Sequence, residues 1–248
     1  MEVGFRTNTG RLRQKNEDAV GFLLRDRVFI VADGVGGNNS GEVASRTAVD
    51  GVVQFVERHP MENLQSPELI QGYFGMCLAE INRKVRAFSR RNENYRGMAT
   101  TIVIAYLSAG ALYVMNVGDS RAYIFRDGVL KQITEDHTYV NTLLKAGLIT
   151  PEEAENHQNR NMITRAIGAD PEVTADYFSC QVLPGDIIMM CTDGLYGEVE
   201  EDRLAGVLGS GQSMDACSGA LTDMANRRGG FDNITVICMK ITEDDIHE

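Results

Sequence analysis

The stretch Val28–Gly37, VFIVADGVGG, decides how the rest of the chain is read. Five apolar or small residues, Val28 to Ala32, run directly into Asp33, and three glycines follow within the next four positions. A short apolar run bounded by glycine is the pattern of a buried strand. A carboxylate at its end and a bare backbone behind it need a separate reason. The phosphate-cradling patterns GxGxxG and GxxxxGK[ST] are not present in it. Asp33 is therefore expected to be a ligand in company with others.

Working outward, apolar patterning predicts strands near 28–31, 100–107, 111–117, 121–125, 130–133, 177–182, 186–191 and 234–241. FRDGVL places Asp-Gly between two strands, a strong two-residue hairpin signal, and YLSAGALY predicts another tight reversal. Helical spacing of apolar residues marks 42–58, 67–91 and 214–227, with Pro67 suited to a first helical position. Strict alternation of strand and helix is missing, which disfavours a parallel sheet. The order is strands, two helices, a meander of five or six strands, a mixed segment, another strand pair, helices and a last strand; its consecutive hairpins predict antiparallel sheets covered by helices, an α+β fold. With no repeat, low-complexity run or Pro/Gly-rich linker in the sequence, 1–248 is expected to be a single domain. Residues 138–160, polar and without strand character, are expected to form a short helical insertion outside the sheets.

Composition narrows the function. The 248 residues carry 35 acidic and 24 basic side chains, a formal charge of −11, which argues against non-specific binding to nucleic acid or an anionic membrane. No run approaches the roughly eighteen apolar residues of a membrane span, and the N-terminal residues lack the apolar core of a signal peptide. A cytoplasmic, unanchored protein is expected. Five cysteines form no CxxC pair, and three lie in apolar stretches, so a disulfide framework is not expected.

Asp33 has its company. Asp119 closes ALYVMNVGD, Asp193 closes DIIMMCTD, and Asp232 opens DNITVICMK. In an antiparallel sheet the end of one strand lies beside the start of its neighbour, so all four can gather at one rim. Asp18, before another strand-like stretch, can join them. Gathered carboxylates repel unless they hold protons or cations sit among them. None of the four histidines adjoins these strand ends. Oxygen ligands alone suit Mg²⁺ or Mn²⁺ rather than zinc. Gly34, Gly118 and Gly194 beside the aspartates would let a carbonyl join in or a ligand approach. Strand-ending Asp and Gly are common as turn residues, which explains one such position readily but the whole set poorly.

The pattern resembles the metal-dependent serine/threonine protein phosphatases of the PPM, or protein phosphatase 2C, family, in its bacterial form. The resemblance runs through RQKNEDA, VADGVGGNNSGEVAS, MATTIVIAYL, NVGDSRAYIF, ITEDHT, NMITRAIG, CTDGLYGEV and RRGGFDNITVICM, in that order along nearly the whole chain. It implies a central β-sandwich of two antiparallel sheets flanked by helix pairs, in α-β-β-α layers. It implies Asp33, Asp193 and Asp232 as the catalytic metal centre, with the carbonyl of Gly34 as a further ligand and Asp18 acting through bound water. Asp119 with Asp193 would hold a weaker third cation, and Arg13 would bind the substrate phosphate. The cofactors implied are Mn²⁺ or Mg²⁺, two in the core. The reaction implied is hydrolysis of phosphoserine or phosphothreonine by a metal-bridging water, with no phosphoenzyme. Residues 138–160 match the family's variable flap. The partners implied are phosphorylated proteins, substrates of a serine/threonine kinase and the kinase itself, with neither nucleic acid nor membrane, and a monomer.

The chain departs from the pattern at three places. Val35 stands where eukaryotic members carry a histidine, Asn38 where many bacterial members do, and Ala99 replaces a glycine. The acid for the leaving group is thus open between a metal-bound water and His137, for which a structural role carries more weight. Three other readings compete. The Cys77–Arg83 spacing matches the Cys-x5-Arg loop of cysteine phosphatases, but the residues between are helix formers in an amphipathic pattern. A catalytically silent regulatory module on the same fold would be expected to lose aspartates that this chain keeps. A metal-dependent nuclease or phosphodiesterase is disfavoured by the acidic charge.

Overall fold

The computed structural model describes residues 1–36, 40–62, 64–91 and 93–246. Its strands are β1 (Glu2–Asn8), β2 (Asp18–Leu23), β3 (Val28–Val35), β4 (Ala99–Thr100), β5 (Ile102–Ser108), β6 (Ala111–Val117), β7 (Arg121–Arg126), β8 (Val129–Gln132), β9 (Asp176–Gln181), β10 (Ile187–Cys191) and β11 (Ile234–Lys240). Its helices are α1 (Gly41–Arg58), α2 (Pro67–Arg91), α3 (Tyr139–Lys145), α4 (Pro151–Glu155), α5 (Asp193–Tyr196), α6 (Glu201–Leu208) and α7 (Met214–Arg227). The strands make two antiparallel sheets, ordered β1-β11-β10-β7-β8 and β2-β3-β5-β6-β9, with β4 beside β3.

Three buried apolar layers separate four layers of secondary structure. Helices α1 and α2 cover one sheet through Ala48, Val52, Phe74, Ile81 and Val85, packed on Val28, Ile30 and Ile104. Helices α6 and α7 cover the other through Leu204, Cys217 and Leu221, packed on Met189, Val236 and Cys238. Between the sheets lie Phe29, Val31, Val103, Leu112, Ile188, Met190 and Ile237. Successive strand residues face opposite sides. Thus Val28 and Ile30 meet the helices while Phe29 and Val31 face the opposite sheet. The central strands β3, β5, β6, β10 and β11 are covered on both sides, which explains why they are nearly continuous apolar runs rather than alternating ones.

Both hairpins are present. Asp127 and Gly128 take φ of 50° and 82°, and Ala109 and Gly110 take 49° and 71°, the left-handed pair that a two-residue turn between twisted strands requires. Segment 138–160 lies outside the sheets, with α3 and α4 in it.

Three features differ from expectation. Strand β1 gives no periodic signal, because Gly4 is its only buried residue. The run of strands after residue 100 is not one meander: the β5–β6 hairpin belongs to one sheet and the β7–β8 hairpin to the other, and the chain crosses over at 118–120. Likewise β9 pairs with β6 whereas β10 pairs with β7 and β11, so the stretches near 177–182 and 186–191 are not partners.

Candidate active site

Strand β3 does not stop at Asp33 but continues to Val35, because Gly34 and Val35 pair with Thr100 and Ala99 of β4. Asp33 keeps the parity of Phe29 and Val31, and so faces the space between the sheets, at its rim. Asp18 is the first residue of β2 and pairs directly with Asp33. Like charges in directly opposed positions repel. From the other sheet, Thr192 and Thr235 continue the inward parity of Met190 and Ile237. Thr192 Oγ1 donates to Asp18 Oδ2 at 2.9 Å and accepts from the Thr235 amide at 3.0 Å, joining the sheets behind the rim. Asp193 follows Thr192 as the first residue of α5. Asp119 lies in the crossover after β6, and Asp232 lies two residues before β11.

The loops around these carboxylates are held by hydrogen bonds between segments distant in sequence. Thr101 Oγ1 accepts from the Asp33 amide at 2.9 Å and contacts Ser120 Oγ at 2.7 Å, tying β3 to the crossover. Tyr196 OH donates to the Asp119 carbonyl at 2.9 Å. Asn233, 4% exposed, donates to the carbonyls of Thr9 and Lys15 at 2.9 and 2.8 Å and accepts from the Glu17 amide at 2.7 Å. It fixes the whole 9–17 loop, Arg13 included, against Asp232. Sequence reasoning did not single out Asn233, Thr192 or Thr101; the signal for the first was its place directly after Asp232. Gly34 is required by close approach: a Cβ there would collide with the backbone of Gly41 and Glu17.

Electrostatically the rim is strained. Burial first, then Asp18, Asp193, Asp119 and Asp232, push the Asp33 carboxyl well above its usual range. Asp18 is raised chiefly by burial, against the bonds from Thr235 and Thr192. Asp193 is raised by burial and by Asp232. Asp119 rises to about 7 through burial and the neighbouring Asp193. The buried Oδ1 atoms of Asp18 and Asp193 have no hydrogen-bond partner among the described residues. Carboxylate oxygens lacking donors in a buried site are the donor set that a hard divalent cation takes. As posed, no three His, Cys, Asp or Glu side chains among the described residues close on one point as a ready ligand cage. Asp232 shows why: its Oδ2 accepts from Arg13 Nη2 at 2.7 Å, an ion pair across the mouth of the site. Arg13, expected at the substrate phosphate, is thus placed at the rim but paired with a carboxylate.

A cleft of about 260 Å³ opens over the rim, lined by Arg13, Asp33, Gly34, Asp119, Asp193 and Asp232. It adjoins a cavity of about 940 Å³ bounded on one side by Asp119, Asp193 and Asp232 and on the other by Val140, Leu144, Ala154 and Arg160 of the 138–160 segment. Val35 stands at the cleft, 41% exposed, and carries no proton to give. Asn38 lies outside the described residues. His137 is buried; its Nδ1 accepts from the Gly118 amide at 3.1 Å and its Nε2 faces Asp176 at 3.2 Å. Burial lowers its pKa despite Asp176. A neutral imidazole engaged at both nitrogens supports the loop before Asp119. Cys77 lies inside α2, fully buried, its thiol pushed up to about 12 by burial, so a Cys-x5-Arg phosphate loop is ruled out. The described cysteines are all free thiols.

The likeness to known proteins extends over nearly the whole chain. Residues 11–226 match the model of the protein phosphatase 2C family. The serine/threonine phosphatase stp of Listeria monocytogenes is 35% identical over 243 residues, covering 97% of this chain and 96% of its own. Among solved structures, the Mycobacterium tuberculosis serine/threonine phosphatase PstP/Ppp superposes with a TM-score of 0.87 at 31% identity, covering 97% of this chain and 98% of that one. The catalytic domain of PstP in complex with 2 manganese ions gives 0.84 at 30% identity, with the same coverage. Among the described residues no helix is long and apolar enough to cross a membrane. Family match, near full-length identity and superposed fold agree, and the chain belongs to the protein phosphatase 2C family of metal-dependent serine/threonine protein phosphatases.

Proposed function

We propose that Asp33, Asp193 and Asp232, with the carbonyl of Gly34, hold two Mn²⁺ or Mg²⁺ ions, that Asp18 supports them through water, and that Asp119 with Asp193 holds a weaker third. The observation that carries this is the convergence of these carboxylates at one rim, where the buried Oδ1 atoms of Asp18 and Asp193 lack donors and Asp33 is raised by burial and by its neighbours. When bound, such cations offset the like charges and make water nucleophilic near neutral pH. Arg13 lies at the entrance, and its planar fork matches two phosphoryl oxygens. It exchanges Asp232 for the substrate once that carboxylate is engaged. The phosphoryl group of phosphoserine or phosphothreonine passes directly to water. With Val35 inert and His137 occupied, the leaving oxygen takes its proton from water held on the Asp119 side.

The chain 1–248 acts as one catalytic domain, and 138–160 forms the far wall of the substrate cavity as a flap. Its substrates are proteins phosphorylated by a serine/threonine kinase, together with that kinase, and it works as a cytoplasmic monomer. The test is phosphate release from a phosphothreonine peptide with Mn²⁺, with and without EDTA. Turnover should vanish with the chelator; full turnover in excess chelator would overturn the reading. Asp119→Ala crystals soaked in Mn²⁺ should keep two ions and lose the third. Three ions, or loss of the pair, would refute the division of ligands.

A further inference from the structure

Away from the rim, positive charge is concentrated in one place. The chain carries −11 overall, yet between residues 83 and 96 six cations, Arg83, Lys84, Arg86, Arg90, Arg91 and Arg96, are accompanied by one carboxylate, Glu93. Arg83, Arg86 and Arg90, three and four residues apart on α2, share one helix face. With Ala87 and Pro171 they line a groove of about 280 Å³; the lining residues include no acidic side chain, and Asp170 and Glu172 flank Pro171 outside it. Arg83 and Arg90 are exposed, and neither has an ion-pair partner among the described residues. Arg86 donates from Nη1 to the Ala169 carbonyl at 2.8 Å and keeps its other N–H groups. Cations in the last turn, such as Arg90, suit a helix C-terminus. Arg83 lies two turns earlier, where the helix end gives no such reason.

The opposite wall of the groove is fixed. Buried Asn82 donates to the carbonyls of Asp170 and Pro171 at 3.0 and 3.2 Å and accepts from the Gly168 amide at 2.7 Å. The preceding residue, Ile167, exchanges backbone bonds with Thr100 at 2.8 and 3.0 Å, and Thr100 Oγ1 donates to the Asp33 carbonyl at 2.8 Å. The groove and the carboxylate rim therefore share one frame, so a segment held in the groove keeps a set position relative to the cleft.

We propose that this groove docks an acidic segment of the phosphoprotein substrate, a run of Asp or Glu removed in sequence from the phosphorylated residue. The proposal rests on the phosphatase reading and adds a determinant of substrate choice. The argument for the occupant is charge complementarity. Arginine forks match carboxylates in pairs, and a patch three arginines long suits a short acidic run. A long polyanion such as RNA, or an anionic membrane, would lie along the rest of a surface that repels it.

The test compares p-nitrophenyl phosphate, a phosphothreonine peptide with neutral flanks, and the same peptide carrying a Glu-rich tail on either side at graded spacing, all with Mn²⁺. The enzymes are the parent, the Arg83→Glu/Arg90→Glu double variant, and Arg203→Glu on α6 as an exposed-charge control. The parent should favour one tailed peptide about tenfold through KM, inside the roughly twenty-fivefold limit set by two exposed charge pairs worth up to about fivefold each. The double variant should lose that preference while acting normally on the other two substrates. High salt should erase the preference in the parent. Indifference of the parent to the tails would overturn the proposal, as would an equal loss on the neutral peptide, or binding of RNA or anionic vesicles at these arginines without tail preference. Fluorescence anisotropy of an unphosphorylated Glu-rich peptide, bound by the parent and not by the double variant, tests the groove even if no substrate is turned over, a result that would instead refute the phosphatase reading.

Discussion

Two parts of the space between the sheets obey the same backbone rule and reach opposite ends. In the middle, Phe29 and Val31 meet Ile188, Met190 and Ile237 in a dry layer. One step of the same alternation further, Asp33 takes the equivalent place, with Asp18 opposite it in register. The first region gains stability by burying apolar surface. The second buries carboxylates, which opposes folding unless cations are supplied. The sandwich therefore keeps stability and chemistry on one face, separated by two residues of strand.

The largest break in that comparison is Asp193→Ala. It should lower kcat/KM by at least about a thousandfold, the loss of several kcal/mol of charge stabilisation, while the metal-free protein melts no lower than the parent. Removing one buried carboxylate relieves Asp33 and Asp119, which it repels. Kinetics with Mn²⁺ and thermal melts in EDTA measure the two halves. A variant that is inactive because it is unfolded would contradict the separation.

The converse change is Ile188→Ala, in the middle of the layer at 0% exposure. It should cost about 2–5 kcal/mol of stability, the lost transfer energy plus the cavity left behind. The folded fraction should keep its kcat. Denaturant unfolding and active-site titration separate the effects, and a kcat loss matching that of Asp193→Ala would merge the two regions.

The same contrast explains what could be read from sequence. The rim aspartates and Gly34 were legible because a carboxylate at a strand end, ordinary once, recurred at several strands. The helix faces of α1, α2 and α7 and both hairpins were legible because periodicity and Asp-Gly are local signals. Pairing is not local. Nothing in NVGDSR says that the chain leaves one sheet for the other at Gly118, and nothing near Leu183–Asp186 says that β9 and β10 part. Strand β1 was hidden because only Val3 and Phe5 of its seven residues are apolar, and its place is set by pairing with β11. Asn233 and Thr192 were missed for a related reason: they act on the 9–17 loop and on Asp18, partners far away in sequence.

A smaller effect concerns pH. Asp119 holds its proton up to about 7 when folded, against 3.8 for the free side chain, and burial shifts Asp18, Asp33 and Asp193 the same way. The folded metal-free protein thus binds more protons than the unfolded chain above pH 4. That contribution is complete below pH 4 and is lost as pH rises through about 7. Asp176 and Asp245, lowered in the folded state, act in the opposite sense below pH 4, and His137, lowered from 6.5, opposes the trend inside the window as one group against four. The melting temperature in EDTA should therefore fall between pH 5 and pH 8, and saturating Mn²⁺ should flatten the slope. A metal-free protein equally stable across that range would mean that the rim is hydrated enough to carry its charges.

The smallest effect on chemistry should come from Cys77→Ser. Burial dominates the shift at Cys77 as it does at the rim, raising the thiol to about 12. The consequences differ because the surroundings differ. The rim carboxylates line a cleft and repel one another, so burial makes them acceptors for an incoming cation. Cys77 is packed in the helix–sheet core and lines neither of the two cavities at the rim, so burial only keeps its proton in place. A serine there can donate to the carbonyl one turn back, which limits the cost of a buried hydroxyl. The melting temperature should drop by a few degrees, and kcat on a phosphothreonine peptide should stay within about threefold, a barrier change of under 1 kcal/mol. Complete loss of turnover in a folded, Mn²⁺-loaded variant would show that enclosure in the core does not silence the thiol, and that the contrast between the two buried sites has been drawn in the wrong place.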